Sequence, residues 1–222
     1  MDILILALFF IDTGIHLYAS IKKNQKLRNI TKPFILLLLL AWYLLVCDKP
    51  SKALIIALVL SWLGDVLLIG PGIKWFTAGG ISFMIGHFFF MISYYEVGPE
   101  YWNLNVLPLL VIVFLVLVIY IFNKLKPHLP KPLFIPMAAY LLINGLMNTA
   151  AIGRMLSSIY YTANPLPGII TCIGAFMFFI SDSTLFFVRF KKDSRLKTHF
   201  LVMLTYSLGE FLIVLGLIPN LF

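Results

Sequence analysis

The sequence is short of charge: Asp, Glu, Lys and Arg make up 12% of its 222 residues, about half the share of an ordinary soluble domain. With 61% hydrophobic residues beside them, so few charges exclude a soluble globular enzyme and leave a polytopic membrane protein. Cysteine is scarcer still. Cys47 and Cys172 lie at or within apolar runs, so neither a disulfide framework nor a cysteine-built metal site is expected. Low-complexity tracts and long linkers are missing, and no stretch is left over for a soluble domain; residues 1–222 read as one integral membrane domain. The opening MDILILALFF lacks a basic n-region and a small-residue cleavage site, and reads as a first span. The net charge of +8 is scattered over short segments between apolar runs. It forms no basic stripe, so nucleic acid is excluded as a partner, and membrane lipids are favoured through topology signals and headgroup contacts.

At about 20 apolar residues per crossing, spans are expected near 2–21, 32–47, 52–70, 76–95, 105–123, 132–150, 167–189 and 198–218. The fold class is therefore all-α, a bundle of eight transmembrane helices. Fourteen of the 17 Lys and Arg fall in the first, third, fifth and seventh connections, mainly in IKKNQKLRNITK and RFKKDSRLK. By the positive-inside rule those connections are cytoplasmic and both termini lie on the non-cytoplasmic side. The compact loops and charge bias suit a bacterial inner membrane, and an internal eukaryotic membrane satisfies the same rules. Pro33, Pro50, Pro71, Pro132, Pro167 and Pro219 are expected at the ends of spans, where a missing N–H costs little.

What the apolar runs do contain is a small set of polar side chains: Asp12 and His16, Asp65, His87, Asn144 and Asn148, Ser181, Asp182 and Ser183, and Tyr206 with Glu210. Asp65, in SWLGDVLLIG, is the only charge between Ala53 and Ile69. A charge at the centre of a span costs roughly 2.5–3.5 kcal/mol on insertion scales, so each such residue is a functional candidate. Most of the set falls in the cytoplasmic half of its span, the layout of one inward-opening cavity. Two carboxylates in such a cavity favour sharing a proton, one serving as acid and the other as base. Against this stand plainer readings. Asp12 and His16, at i and i+4, would satisfy each other; Asn144 and Asn148 would act as interhelical glue; the phenylalanines of FFF (88–90) and MFF (177–179) would face lipid, pack, or line an acyl-chain tunnel. Asp65, His87 and Asp182, with His16 or Glu210, could also supply oxygen and nitrogen ligands to a metal, but no local metal motif exists.

The stretches TKP (31–33), SWLGDVLL (61–68), GGISFMIGHFFF (79–90), GAFMFFISDSTLFF (174–187) and TYSLGEFLI (205–213), taken in order across nearly the whole chain, resemble the YhhN-like membrane proteins. The characterised members of that family are lysoplasmalogenases. The resemblance implies a membrane hydrolase that cleaves the vinyl ether bond of a lysophospholipid substrate. It picks out Lys32, Asp65, His87, Ser181, Asp182 and Tyr206 as functional positions. Glu210 stands where family members often have Gln. With the acid–base chemistry of vinyl ether cleavage, which requires no metal and no cofactor, these positions suggest Asp65, Asp182 and His87 in catalysis and Lys32, Ser181 and Tyr206 around the substrate, with Asn144 and Glu210 added to the substrate set as polar residues within the spans. Lys32, expected at the start of the second span beside Pro33, would hold the substrate phosphate with help from the helix N-terminus.

Other functions use similar residues. An intramembrane aspartyl protease also has two aspartates in neighbouring spans, but its Tyr-Asp and Pro-Ala-Leu motifs are absent. A proton-coupled transporter would use the same acids and histidines as a relay; no span shows the paired Gly/Pro interruption of a broken helix, although GPG (70–72) ends one.

Overall fold

The computed structural model describes residues 2–96, 107–191, 199–219 and 221. Among them are eight α-helices and no strand: α1 (Asp2–Ile21), α2 (Gln25–Val46), α3 (Lys52–Leu67), α4 (Ile73–Glu96), α5 (Leu107–Leu125), α6 (Phe134–Tyr161), α7 (Leu166–Phe186) and α8 (Phe200–Gly216). Two 3-10 turns, Lys126–His128 and Lys131–Leu133, join α5 to α6, and a π-helical turn, Phe187–Lys191, prolongs α7. Six helices are long and apolar enough to cross a membrane. The other two, α3 and α8, have 16 and 17 residues, shorter than the crossings expected for them.

Two boundaries differ from the sequence expectation by more than a turn. The second helix begins at Gln25, seven residues before the expected start. Asn24 caps it, its Oδ1 accepting from the Leu27 N–H at 3.2 Å. The turn before it is closed by Lys23 in the left-handed region (φ 56°), with the Asn24 N–H donating to the Ala19 carbonyl, the way many helices terminate. Pro33 therefore lies inside a helix, and Lys32 sits more than a turn from any free N–H group. Most of the basic connection IKKNQKLRNITK is helix. The sixth helix likewise continues to Tyr161 instead of ending near 150. Arg154, counted as a loop cation from the sequence, is a buried helical residue donating to the carbonyls of Tyr94 and Gly216 at 3.3 and 3.0 Å. The ends expected at 105 and 198 lie outside the described residues.

Most helices adjacent in sequence pack against each other, but among the described residues α5 lies against α6 and not α4; α6 packs on α4, α5 and α7, and α8 on α7, α1 and α2. Glycines allow close approach in two of these pairs. A Cβ on Gly174 would lie 2.7 Å from the Gly209 carbonyl oxygen, and one on Gly209 would lie 2.9 Å from that of Gly174, so α7 and α8 touch at a reciprocal small-residue contact. In α3, Gly64 leaves room for the Phe83 ring of α4. The phenylalanine runs divide: Phe88 faces outward, while Phe90, Phe178 and Phe179 are buried.

Candidate active site

The pairing of α7 with α8 and of α3 with α4 turns polar side chains from distant segments toward one end of the bundle. There a cavity of about 100 Å3 is lined by Lys32 of α2, Asp65 of α3, Ser181 and Asp182 of α7 and Tyr206 of α8. Both aspartates are nearly fully buried, 2% and 5% exposed, yet neither lacks partners. The Lys32 ammonium stands 3.1 Å from Asp65 Oδ1, and the Tyr206 hydroxyl donates to Oδ2 at 2.8 Å. Asp65 thus has a countercharge on one oxygen and a donor on the other, the condition under which a buried carboxylate is tolerated.

Asp182 is held differently. Its Oδ2 accepts from the Tyr140 hydroxyl at 2.6 Å and from Asn144 Nδ2 at 2.7 Å, and His87 Nε2 lies 3.5 Å from the same oxygen. Asn148 Nδ2 donates to Asn144 Oδ1 at 3.1 Å and to its backbone carbonyl at 3.0 Å, which fixes the Asn144 amide with its nitrogen toward Asp182. Tyr140, Asn144 and Asn148 succeed one another at i, i+4 and i+8 on α6, so one helix face presents the whole donor chain. The His87 ring sits against Tyr140 and Phe178, with centroids 5.4 and 4.9 Å away.

The expected site residues therefore separate into two layers. Lys32, Asp65, Ser181, Asp182 and Tyr206 face the cavity. His87 and Asn144 stand behind Asp182 without lining it. Glu210, one turn beyond Tyr206, is fully buried and also off the cavity; the Ser61 hydroxyl faces it, but neither Glu210 oxygen completes a hydrogen bond. The Ser181 hydroxyl is spent on the Val202 carbonyl at 2.9 Å and locks α7 to α8. Among the described residues no three His, Cys, Asp or Glu side chains converge as a metal would need, so the ligand set considered from the sequence is not gathered in one place.

Two sequence expectations are corrected. Asp12 and His16 do not satisfy each other: His16 Nδ1 pairs with Thr31 Oγ1 at 2.7 Å, across to α2, and Asp12 Oδ2 has no hydrogen-bond partner. Thr31 is available because α2 starts early enough to make 31 a helical position facing α1. The helix N-terminus likewise does not assist Lys32; what holds its ammonium is the Asp65 carboxylate.

The residues that sequence reading missed are Tyr140 and the rim of the cavity, where Arg28, Arg189 and His199 accompany Lys32. Burial, followed by the neighbouring charges of Arg28, Lys32 and Arg189, holds the His199 imidazole down to about 4, so it is neutral at physiological pH. The signal for Tyr140 was its four-residue spacing from Asn144.

A comparison with known families matches the YhhN family over residues 27–217. No curated protein and no solved structure matches the chain.

Proposed function

The chain belongs to the YhhN family, and on that premise we propose that it is a membrane-embedded lysoplasmalogenase, hydrolysing the vinyl ether bond of a lysophospholipid to a fatty aldehyde and a glycerophospho-ethanolamine or glycerophospho-choline. The observation that carries the reading is that Asp65 and Asp182, on separate helices, line one buried cavity while each is gripped by its own donors.

Vinyl ethers are inert to base and open through acid. A proton added to the β-carbon moves the double-bond electrons toward oxygen and leaves an oxocarbenium ion. Water adds to its carbon and gives up a proton, and the hemiacetal collapses to aldehyde and alcohol. One water is consumed overall and no redox change occurs. The site supplies an acid, an anion and a place for water. Asp182 is the acid in this reading: Tyr140 and Asn144 occupy Oδ2, which leaves Oδ1 to carry the transferable proton; when the hemiacetal collapses, Asp182 takes back the hydroxyl proton while protonated Asp65 gives one to the departing oxygen, and His87 behind Oδ2 positions the Asp182 carboxyl. Asp65, ionised against Lys32, is the fixed anion that stabilises the cationic intermediate and takes the proton of the attacking water.

The test is release of free fatty aldehyde by the purified protein from a vinyl-ether lysophospholipid beside its ester counterpart. Asp65→Asn and Asp182→Asn are each expected to lower turnover by about 100-fold or more, the usual contribution of a positioned acid or base, in protein that still melts cooperatively. Near-normal aldehyde release by both variants would eliminate the assignment.

A further inference from the structure

Two features around the cavity have no part in that chemistry, a cationic rim and an apolar groove behind one aromatic ring. At the rim, Arg28 from α2, Arg189 from the π turn and His199 ahead of α8 share the cavity mouth with Lys32. Lys32 is committed to Asp65. Among the described residues neither arginine is ion-paired: Arg28 Nη1 reaches only Gln25 Oε1, at 3.3 Å, its Nε has no hydrogen bond, and Arg189 lies over the Phe76 ring at 5.5 Å. The one carboxylate close to a rim cation among the described residues, Asp65, is taken by Lys32, and two guanidinium groups left without an acidic partner beside it repel one another until an anion arrives. Forked guanidinium donors suit phosphate oxygens in particular.

The groove starts at Phe76, which lines both spaces. About 50 Å3 in volume, it runs along α4 past Gly80 and Met84, faces Pro136 and Tyr140 of α6, and ends against Phe186. Its polar side chains are Thr77 and Tyr140, and both hydroxyls point away into bonds, to the Ile73 carbonyl and to Asp182. A single aromatic ring, Tyr140, therefore has the groove on one side and Asp182 at its hydroxyl. The groove is apolar, narrow, and joined to a cationic mouth at a distance of one side chain.

We propose that rim and groove form one bipartite site for a single-chain phospholipid, the phosphate held by Arg28, Arg189 and His199 and the hydrocarbon chain passing Phe76 into the groove between α4 and α6. The complementarity is of both kinds at once: anion to cationic rim, alkyl chain to a lining with no free polar group. In this arrangement the bond between headgroup and chain crosses the aspartates. The inference deepens the hydrolase reading and rests on it for which bond is broken, but the binding it describes can be measured without turnover.

Equilibrium binding to the purified protein in nanodiscs, with a saturated alkyl-ether lysophospholipid that cannot be cleaved, tests it. The wild-type chain is expected to bind this probe about ten-fold or more tighter than the matched alkylglycerol lacking phosphate, the scale of one or two charge-assisted hydrogen bonds, and tighter than glycerophosphocholine lacking the chain. Arg28→Gln and Arg189→Gln should erase the advantage over alkylglycerol while leaving alkylglycerol binding intact, which also certifies that they fold. Gly80→Phe, placed where a side chain meets open space, should weaken both chain-bearing probes alike. Equal binding of phospholipid and alkylglycerol by the wild type overturns the phosphate site, and glycerophosphocholine binding as tightly as the lipid overturns the chain site. Binding as described with no aldehyde from a vinyl ether would instead sink the hydrolase reading alone; aldehyde release with all three variants at wild-type KM would sink this one alone.

Discussion

In the proposed hydrolase, the single contact between Lys32 and Asp65 serves stability and chemistry together. Neither charge would persist near the membrane interior alone, and removing either partner of a buried pair costs far more than the pair itself contributes. Lys32→Met is therefore expected to lower stability by about 3 kcal/mol by stranding the carboxylate. The double variant Lys32→Met/Asp65→Asn should recover most of that stability while remaining inactive. Thermal melting and aldehyde release on the four proteins of the cycle read both effects, and additive melting shifts would refute the coupling. At this scale the sequence was informative wherever a charge interrupts an apolar run, as at Asp65 and Asp182. It gave only the four-residue spacing from Asn144 for Tyr140, because tyrosine in a span is ordinary, and it was silent on Arg28 and Arg189, because Lys and Arg near span ends read first as topology signals, and on His199. Only the fold shows that Tyr140 donates to Asp182 and that two arginines and a neutral histidine share a mouth with Lys32.

The helices themselves were legible from hydropathy, and their ends were not. Hydropathy reports where lipid begins, whereas a helix continues until its backbone is capped. Hence α2 starts at the Asn24 cap and runs through Pro33, and α6 carries Arg154 to a buried position past its apolar stretch. Contacts between helices depend on single small residues that a span prediction passes over. The reciprocal Gly174–Gly209 approach leaves no room for a methyl group on either side. Gly209→Val should force α7 and α8 apart at a cost of about 1–3 kcal/mol, the range for overpacking, with a correspondingly lower melting temperature. Gly14→Ala, where a Cβ meets nothing within 4 Å, should be neutral or stabilising. If both variants melt like the wild type, the close helix contact is not what fixes this pair. Because Ser181 and Tyr206 flank that contact along α7 and α8, the same substitution should also disturb the cavity.

For the whole molecule, composition alone pointed to an all-α membrane bundle; the order of helices around it did not follow, since apolar faces of equal character can pack in many arrangements. Orientation rests on the charge bias, and the cavity opens at the end where the basic connections lie. By the positive-inside rule we propose that its mouth faces the cytoplasm. In a Cys47→Ala/Cys172→Ala background, Lys22→Cys near the mouth should react with a membrane-impermeant maleimide only in inside-out vesicles. Asp48→Cys, at the far end, should react in intact cells. The opposite pattern would turn the cavity outward.

The two shortest helices, α3 and α8, are the ones that bring Asp65 and Tyr206 to the cavity. At 1.5 Å per residue they reach about 24 and 26 Å, less than the ~30 Å hydrocarbon thickness of a typical bilayer. A membrane meets a short crossing by thinning around it. A bilayer thinned beside these helices would draw the phosphate plane of the surrounding leaflet toward the carboxylates, so the lysophospholipid of the proposed reaction would arrive with its headgroup nearer the required depth. On that reading membrane thickness becomes a control on the rate of supply, and a stiff, thick bilayer would throttle it without touching a single residue of the site.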